Sequence, residues 1–257
     1  MAARQRFPTV IAHRGFAGAA PENTLAAFDL AVRAGADRIE FDVLLSRDGV
    51  PVVIHDAELD RTTSGHGPVA GLSLEELKRL DAGSWYAPRF EGERIPSLQE
   101  VLDRFGGRIT CNIEIKSEAV ASDGAPGAGE IERQVVDAVR RGRLENSVVV
   151  SSFSPTALRR VRGLSPGIAR ESLFDASLHA GRVPEAVCRE VGSCGFNCSR
   201  DEVSESWILA AHAAGLRLSV YTVDDPEEMA RLWALGVDGI FTNRPDRLIA
   251  LRESCKG

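Results

Sequence analysis

No uninterrupted apolar run in this 257-residue chain approaches the roughly 20 residues that a membrane-spanning helix needs, which argues against stable insertion in a bilayer. The opening MAARQRFPTVIAHRG lacks the apolar stretch of a secretory signal, so a cytoplasmic protein is expected. Positive charge is also short. The 31 basic and 37 acidic residues leave a formal charge of −6, which works against broad attraction to nucleic acid or anionic lipid. An anionic ligand must therefore be caught by a local site. The five cysteines, at 111, 188, 194, 198 and 255, are odd in number and scattered, as suits reduced packing thiols rather than a disulfide framework. Cys194 and Cys198 stand four apart with no second pair following, so they do not read as a zinc site. The chain also lacks a GxxxxGK(S/T) loop, a strand-borne GxGxxG, an HExxH helix and a GxSxG elbow, which removes the commonest nucleotide, zinc-protease and serine-hydrolase chemistries. Nothing in the residues discloses the oligomeric state.

What is present is an alternation. Apolar residues make up 44% and charged residues 26%, ordinary for a globular protein, and short β-branched runs alternate with amphipathic stretches, as in successive βα units around a parallel sheet. Eight strands are predicted, at 9–13, 37–45 (with a continuation 51–55), 108–116, 147–152, 166–174, 193–198, 216–223 and 237–243. Helices are predicted at 23–35, 130–143, 154–164, 184–192, 205–215 and 225–236, several opening on Asn, Ser or Asp and closing at Gly. The turn at Asp48 and Gly49 aims PVVIH back beside the second strand. The length suits one (β/α)8 TIM barrel spanning residues 1–257. Residues 56–107, with the short helical pieces SLEELKRL and PSLQEVLDRF, read as an elaborated crossover after the second strand, not a separate domain, because their apolar content is thin. The polar, Gly-rich stretch 117–130 follows the third strand, where barrel enzymes carry active-site loops.

Polar residues gather at strand ends. Side chains alternate along a strand, so in DRIEFDVLL the residues Ile39, Phe41 and Val43 share one face and Glu40 and Asp42 the other. NIEIK repeats the device, turning Asn112, Glu114 and Lys116 toward the barrel axis. Buried carboxylates need compensation, and three of them against one lysine leave an excess of negative charge. That excess favours one hard divalent cation on oxygen ligands, Mg²⁺ or Ca²⁺, over a purely structural ion-pair network, which stays as the alternative.

Two of the five histidines, His13 and His55, end predicted strands. Either alone reads as a satisfied core or turn residue, but carboxyl ends of barrel strands converge on one site, so together they form a candidate catalytic pair. His66, His179 and His212 have no such placement and read as structural. Arg14 follows His13, and Lys116 lies two residues beyond Glu114; an arginine fork and a lysine beside a divalent ion make a receptor for phosphate oxygens. The plainer alternative has both cations merely pairing with Glu40 or Asp42.

The runs HRGFAGAAPENTLAAF, EFDVLLSRDGVPVVIHDAELDRTTSG, IPSLQEVL, NIEIK, SSFSP and VYTVDDPEEMARLWALGVDGIFTNRPD, in this order along nearly the whole chain, resemble the glycerophosphodiester phosphodiesterase family. The resemblance implies a barrel enzyme that hydrolyses small glycerophosphodiesters to an alcohol and sn-glycerol 3-phosphate. It puts the histidine pair on His13 and His55, the metal carboxylates on Glu40, Asp42 and Glu114, and the phosphate-facing cations on Arg14 and Lys116. Phe16, Phe153 and Tyr221, within the same motifs, are candidate walls of the substrate pocket. The resemblance also makes Glu22 a candidate to touch the site, although capping of the first helix by Asn23 or Thr24 is the plainer use of that segment. The strand at 216–223 departs from the family's W-T-V-N pattern, with Tyr221 in YTVDD, and RESLF lacks the Gly-rich form of its strand. A lysophospholipase D-type enzyme on the same barrel is one rival. A non-catalytic phosphodiester-binding barrel is another, opposed by the presence of all seven polar positions.

Overall fold

The computed structural model describes residues 7–175 and 181–255; His179 lies outside them. Eight parallel strands close into a barrel: β1 (Thr9–Ala12), β2 (Arg38–Leu45), β4 (Thr110–Ile115), β5 (Val148–Ser152), β6 (Ala169–Leu173), β7 (Gly195–Ser199), β8 (Arg217–Tyr221) and β9 (Gly239–Thr242). Closure comes from β1, which pairs with β2 on one side and β9 on the other. The short β3 (Pro51–Val53) runs antiparallel on β2, with Leu45 opposite Pro51, as the Asp48–Gly49 turn leads one to expect.

Local chemistry explains most helix boundaries. The helix α1 (Leu25–Ala34) starts where the Thr24 side chain accepts the Ala27 amide and stops where Gly35 takes a left-handed φ of 91°. In the 56–107 segment, α2 (Leu74–Leu77) and α3 (Leu98–Phe105) each open with a reciprocal capping box, Ser73 with Glu76 and Ser97 with Glu100. Then follow α4 (Glu130–Gly142), α5 (Pro155–Leu164), α6 (Pro184–Val191), α7 (Glu205–Ala213) and α8 (Pro226–Leu235). A last helix, α9 (Pro245–Ser254), is absent from the sequence reading. The reason is physical: its cap position is Arg244, which makes no side-chain cap, and little of PDRLIALRES beyond Pro245, Leu248 and Ile249 is buried. No helix among the described residues is long and apolar enough to cross a membrane.

The apolar core lies between the strands and the helices. Ile39, Phe41 and Val43 of β2 face outward into it with Ile113 and Ile115 of β4, and Phe28 contacts the rings of both Phe41 and Phe105 at 5.5 and 5.8 Å. Burying each such side chain contributes roughly 1.5–3 kcal/mol. The 56–107 segment closes Leu59, Val69, Leu77, Ala82 and Ile95 over Leu44, Val52 and Ile54, so its apolar residues are seated on the sheet.

Inside the barrel the lower layer is ionic instead of aliphatic. Glu171 of β6, 1% exposed, accepts from Arg38 at 3.1 Å, Arg217 at 2.8 Å and Asn197 at 3.2 Å, while Arg38 also reaches Asn112 at 3.2 Å. Arg38 precedes Glu40 by two residues on β2, so this paired layer is the floor on which the carboxylates above it stand. Replacing Glu171 by Ala leaves the Arg38 guanidinium buried without its counter-charge. We expect a loss of about 3–5 kcal/mol, read as a lower denaturant midpoint; an unchanged midpoint would show that the layer tolerates an uncompensated arginine.

Candidate active site

The register of β2 with β4 sets Asp42 opposite Glu114 and Glu40 opposite Asn112. Strand alternation turns all three acids inward, where one carboxylate oxygen from each of Glu40, Asp42 and Glu114 lies within 4.8 Å of the others. Asn23, with a left-handed φ of 58°, donates to the Asp42 carboxylate at 2.9 Å. It is Thr24 that caps the helix, which leaves Asn23 free for this role.

The cations approach from both sides. Arg14 also has a left-handed φ, 54°, which points its amide at Glu40 Oε2 (2.9 Å) and its Nε toward Asp42 Oδ2 (3.5 Å). Gly15 follows at φ 81°, and a Cβ there would come within 2.8 Å of the Ala27 backbone, so the turn that aims Arg14 requires glycine. Lys116 Nζ stands 3.4 Å from Glu114 and 3.6 Å from Asp42. The pairing alternative is therefore realised, but incompletely: Glu40 Oε1 is buried with no hydrogen-bond partner. Burial, then the charges of Asp42 and Glu114, pushes the Glu40 carboxyl well above its usual range. Burial and Asp42 likewise push Glu114 up to about 7 against the pull of Lys116. Burial opposes ionisation of Asp42 too, yet Arg14, Lys116 and His55 hold it below its ordinary value. Three converging carboxylates with an orphaned oxygen are a donor set that fits a hard divalent cation.

Each histidine has its own partner. The Nδ1 of His13 lies 2.9 Å from Asn243 Oδ1, and Asn243 is in turn held by Asp224, which accepts its amide side chain at 2.9 Å and its backbone N–H at 2.7 Å. A carboxylate only accepts, so the Asn243 NH₂ faces Asp224 and its oxygen faces His13. The His13 proton consequently sits on Nδ1, and Nε2 is left with a lone pair. Burial first, and Arg14 next, lowers His13 to about 4, so the ring is neutral near pH 7. His55 instead places Nδ1 at 2.6 Å from the Asp56 carboxylate, which can only accept, so Nδ1 carries a proton and Nε2 is turned away from Asp56. Asp56 is itself held down to about 2, chiefly by the Arg61 guanidinium against a desolvation cost and with help from His55.

Both imidazoles, Arg14, Lys116, Glu40 and Glu114 line a single cavity of about 190 Å³. Its far wall is apolar: Phe153, Leu173, Tyr221 and Phe241, with the Tyr221 ring edge-on to Phe153 at 6.0 Å and its hydroxyl donating to the Phe174 carbonyl. Phe16 is not part of that wall; it packs, half-buried, against the larger core. His66 and His212 stand apart on Asp60 and Asp238, away from the cavity lining. Sequence reasoning missed Asn23, Asp56, Arg61, Asp224 and Asn243. Asp56 carried a signal, being adjacent to His55, whereas Asn243 lies 230 residues from His13 and carried none.

The profile of the Glycerophosphoryl diester phosphodiesterase family matches residues 13–247. The chain is 39% identical over 243 residues to the glycerophosphodiester phosphodiesterase of Caldanaerobacter subterraneus subsp. tengcongensis, covering 94% of this chain and 96% of that one. Among solved structures, an Oleispira antarctica phosphodiesterase in complex with the product sn-glycerol-3-phosphate superposes with a TM-score of 0.86 at 32% identity, covering 96% and 97% of the two chains. A glycerophosphodiester phosphodiesterase from Agrobacterium tumefaciens gives 0.80 at 33% identity, covering 95% and 100%.

The raised carboxyls carry a linkage consequence. An acid whose folded pKa lies above its unfolded value of ~4.3 stabilises the protein only while protonated, so its contribution falls as pH rises through the folded value, about 7 for Glu114. A cation relieves that penalty and must displace the protons. Adding millimolar Mg²⁺ or Ca²⁺ should therefore raise the melting temperature more near pH 8 than near pH 5. An equal gain at both would contradict a site built from Glu40 and Glu114.

Proposed function

The chain belongs to the glycerophosphoryl diester phosphodiesterase family, and from its site we propose a metal-dependent hydrolysis of glycerophosphodiesters in which His13 is the base and His55 the acid. It is an enzyme, a phosphoric diester hydrolase. The observation that carries the division of labour is the difference between the partners: a neutral amide oxygen on His13 Nδ1 and a carboxylate on His55 Nδ1.

A phosphodiester monoanion resists attack by an oxygen nucleophile, and its alkoxide leaves poorly. Arg14 and Lys116 bind the non-bridging oxygens and orient the phosphorus between the two imidazoles. A divalent cation on Glu40, Asp42 and Glu114, Mg²⁺ or Ca²⁺, supplies Lewis-acid stabilisation of phosphate charge when bound. His13 Nε2 takes the proton of the nucleophile as the new O–P bond forms; water gives sn-glycerol 3-phosphate directly, whereas the substrate's own glycerol 2-hydroxyl gives a cyclic phosphate that a water must then open to the same product. His55 Nε2 gives its proton to the departing oxygen as the old P–O bond breaks, while Asp56 accepts from Nδ1 and holds the ring in place. The cavity, about 190 Å³, is below the ~300–1,000 Å³ of sites that enclose drug-sized ligands, which suits the compact glycerol phosphate end with the alcohol reaching outward. That argues for small diesters over the lysophospholipase D reading. Phe153 and Tyr221 are the proposed wall against the substrate carbons. We read the chain as one domain, since residues 56–107 bury their apolar side chains on Leu44, Val52 and Ile54. The free thiols Cys111, Cys188 and Cys198, all buried, suit a reducing cytoplasm.

The test is release of sn-glycerol 3-phosphate from glycerophosphocholine, glycerophosphoethanolamine and glycerophosphoglycerol, with a lysophospholipid as the rival substrate. His13→Ala and His55→Ala should each lower kcat by roughly 10²–10⁴-fold, and a strong chelator should abolish turnover. A diester with an activated aryl leaving group should restore much of the loss in His55→Ala but not in His13→Ala. Restoration in the other variant would exchange the two roles, and near-normal turnover in both would reject the pair.

A further inference from the structure

Two charged side chains beside the site, Arg61 and Glu22, have no part in the reaction proposed above. Arg61, six residues beyond His55, holds two carboxylates at once. Its Nε donates to Asp56 Oδ2 at 2.5 Å, while Nη1 and Nη2 grip Glu22 at 2.9 and 2.7 Å. The same Glu22 Oε1 accepts from Arg14 Nη1 at 2.8 Å. An unbroken line of charge-assisted hydrogen bonds thus runs from His55 through Asp56, Arg61 and Glu22 to Arg14, joining the proposed acid to a phosphate-facing cation. Arg61 rides on a turn anchored by Leu59 and Thr62, both buried, and tied by the Thr63 amide to the Leu59 carbonyl. The turn comes from the 56–107 excursion and Glu22 from the loop before α1, so the contact links two loops at the mouth of the barrel.

We propose that Arg61 and Glu22 are positioning residues: the planar guanidinium locks Asp56 in the rotamer that orients His55, and Glu22 ties that lock to Arg14. The inference rests on the acid role of His55 given above. Only arginine satisfies the geometry, because a lysine ammonium is a point charge and cannot present a fork to two carboxylates in one plane. Arg61 is 45% exposed along its side chain, and ion pairs of such exposure add little to stability. What it supplies is orientation, and misplacing a proton donor by about 1 Å costs up to roughly 100-fold.

The experiment measures kcat and KM of the full chain with saturating divalent cation for Arg61→Lys, Arg61→Gln, Asp56→Asn, Glu22→Gln and the Asp56→Asn/Arg61→Gln double variant. Each Arg61 or Asp56 single variant should lose roughly 10–100-fold in kcat with KM nearly unchanged, while Glu22→Gln should raise KM as well because it also releases Arg14. The double variant should lose no more than Asp56→Asn alone, since Arg61 acts through Asp56. An activated aryl leaving group should recover the Arg61 losses as it does those of His55→Ala. Wild-type-like kcat in Arg61→Lys, or losses that multiply in the double variant, would overturn the proposal. A readout independent of turnover is the low-field Nδ1 proton of His55 in NMR spectra, identified by its absence from His55→Ala. It should be present in the wild type and lost in Arg61→Gln; its persistence there would sink the clasp. A wild type that releases no sn-glycerol 3-phosphate yet shows this dependence on Arg61 would instead overturn the proposed reaction and leave the clasp standing. Unchanged thermal unfolding serves as the folding control, and Arg61→Lys carries the test should the glutamine variant fail to fold.

Discussion

Three carboxylates held close together inside a barrel repel one another, and nearly every feature of the upper half of this protein answers that repulsion. Glu40, Asp42 and Glu114 converge because β2 and β4 are neighbours in register, with inward positions falling at every second residue. Arg14, Lys116 and Asn23 each neutralise or hydrogen-bond part of the cluster, and one oxygen of Glu40 is still left over. The unusual backbone at Arg14 and Asn23, both left-handed, is the conformational cost of bringing those groups to bear. Such a self-repelling donor set fits the divalent cation and the phosphate of the proposed reaction.

Below this layer the barrel solves the opposite problem. Arg38, Glu171, Arg217, Asn112 and Asn197 bond to one another, so the one buried carboxylate of the floor meets two guanidinium groups, although Arg38 Nε and Asn197 Oδ1 remain without partners. The contrast matters for function. Below, one carboxylate is outnumbered by its cations; above, three carboxylates meet two, which leaves the upper layer the one short of positive charge.

The two histidines show how the environment gives identical side chains different partners. His13 is buried against an amide oxygen whose direction Asp224 dictates, and it stays neutral. His55 sits on a carboxylate that Arg61 keeps ionised. Neither partner touches the cavity chemistry directly, yet each sets which ring nitrogen faces it.

Much of this was legible in the residues alone, and for a local reason. Strand alternation has a period of two, so DRIEFDVLL and NIEIK declare their inward acids without reference to any neighbour. Turn and cap residues likewise mark α1, α2 and α3, whereas α9, opening on an uncapped Arg244, left no mark. The sequence by itself thus determined the barrel, its inward carboxylates, the histidine pair and the adjacent cations, all properties of short segments. Only the tertiary structure decided which groups meet across distance: Asn243 with His13, Arg61 with Glu22, Phe16 in the core and not at the cavity. Such contacts depend on how loops from separate strands pack at one rim, and asparagine, arginine and glutamate are too common on any surface for their spacing to announce them.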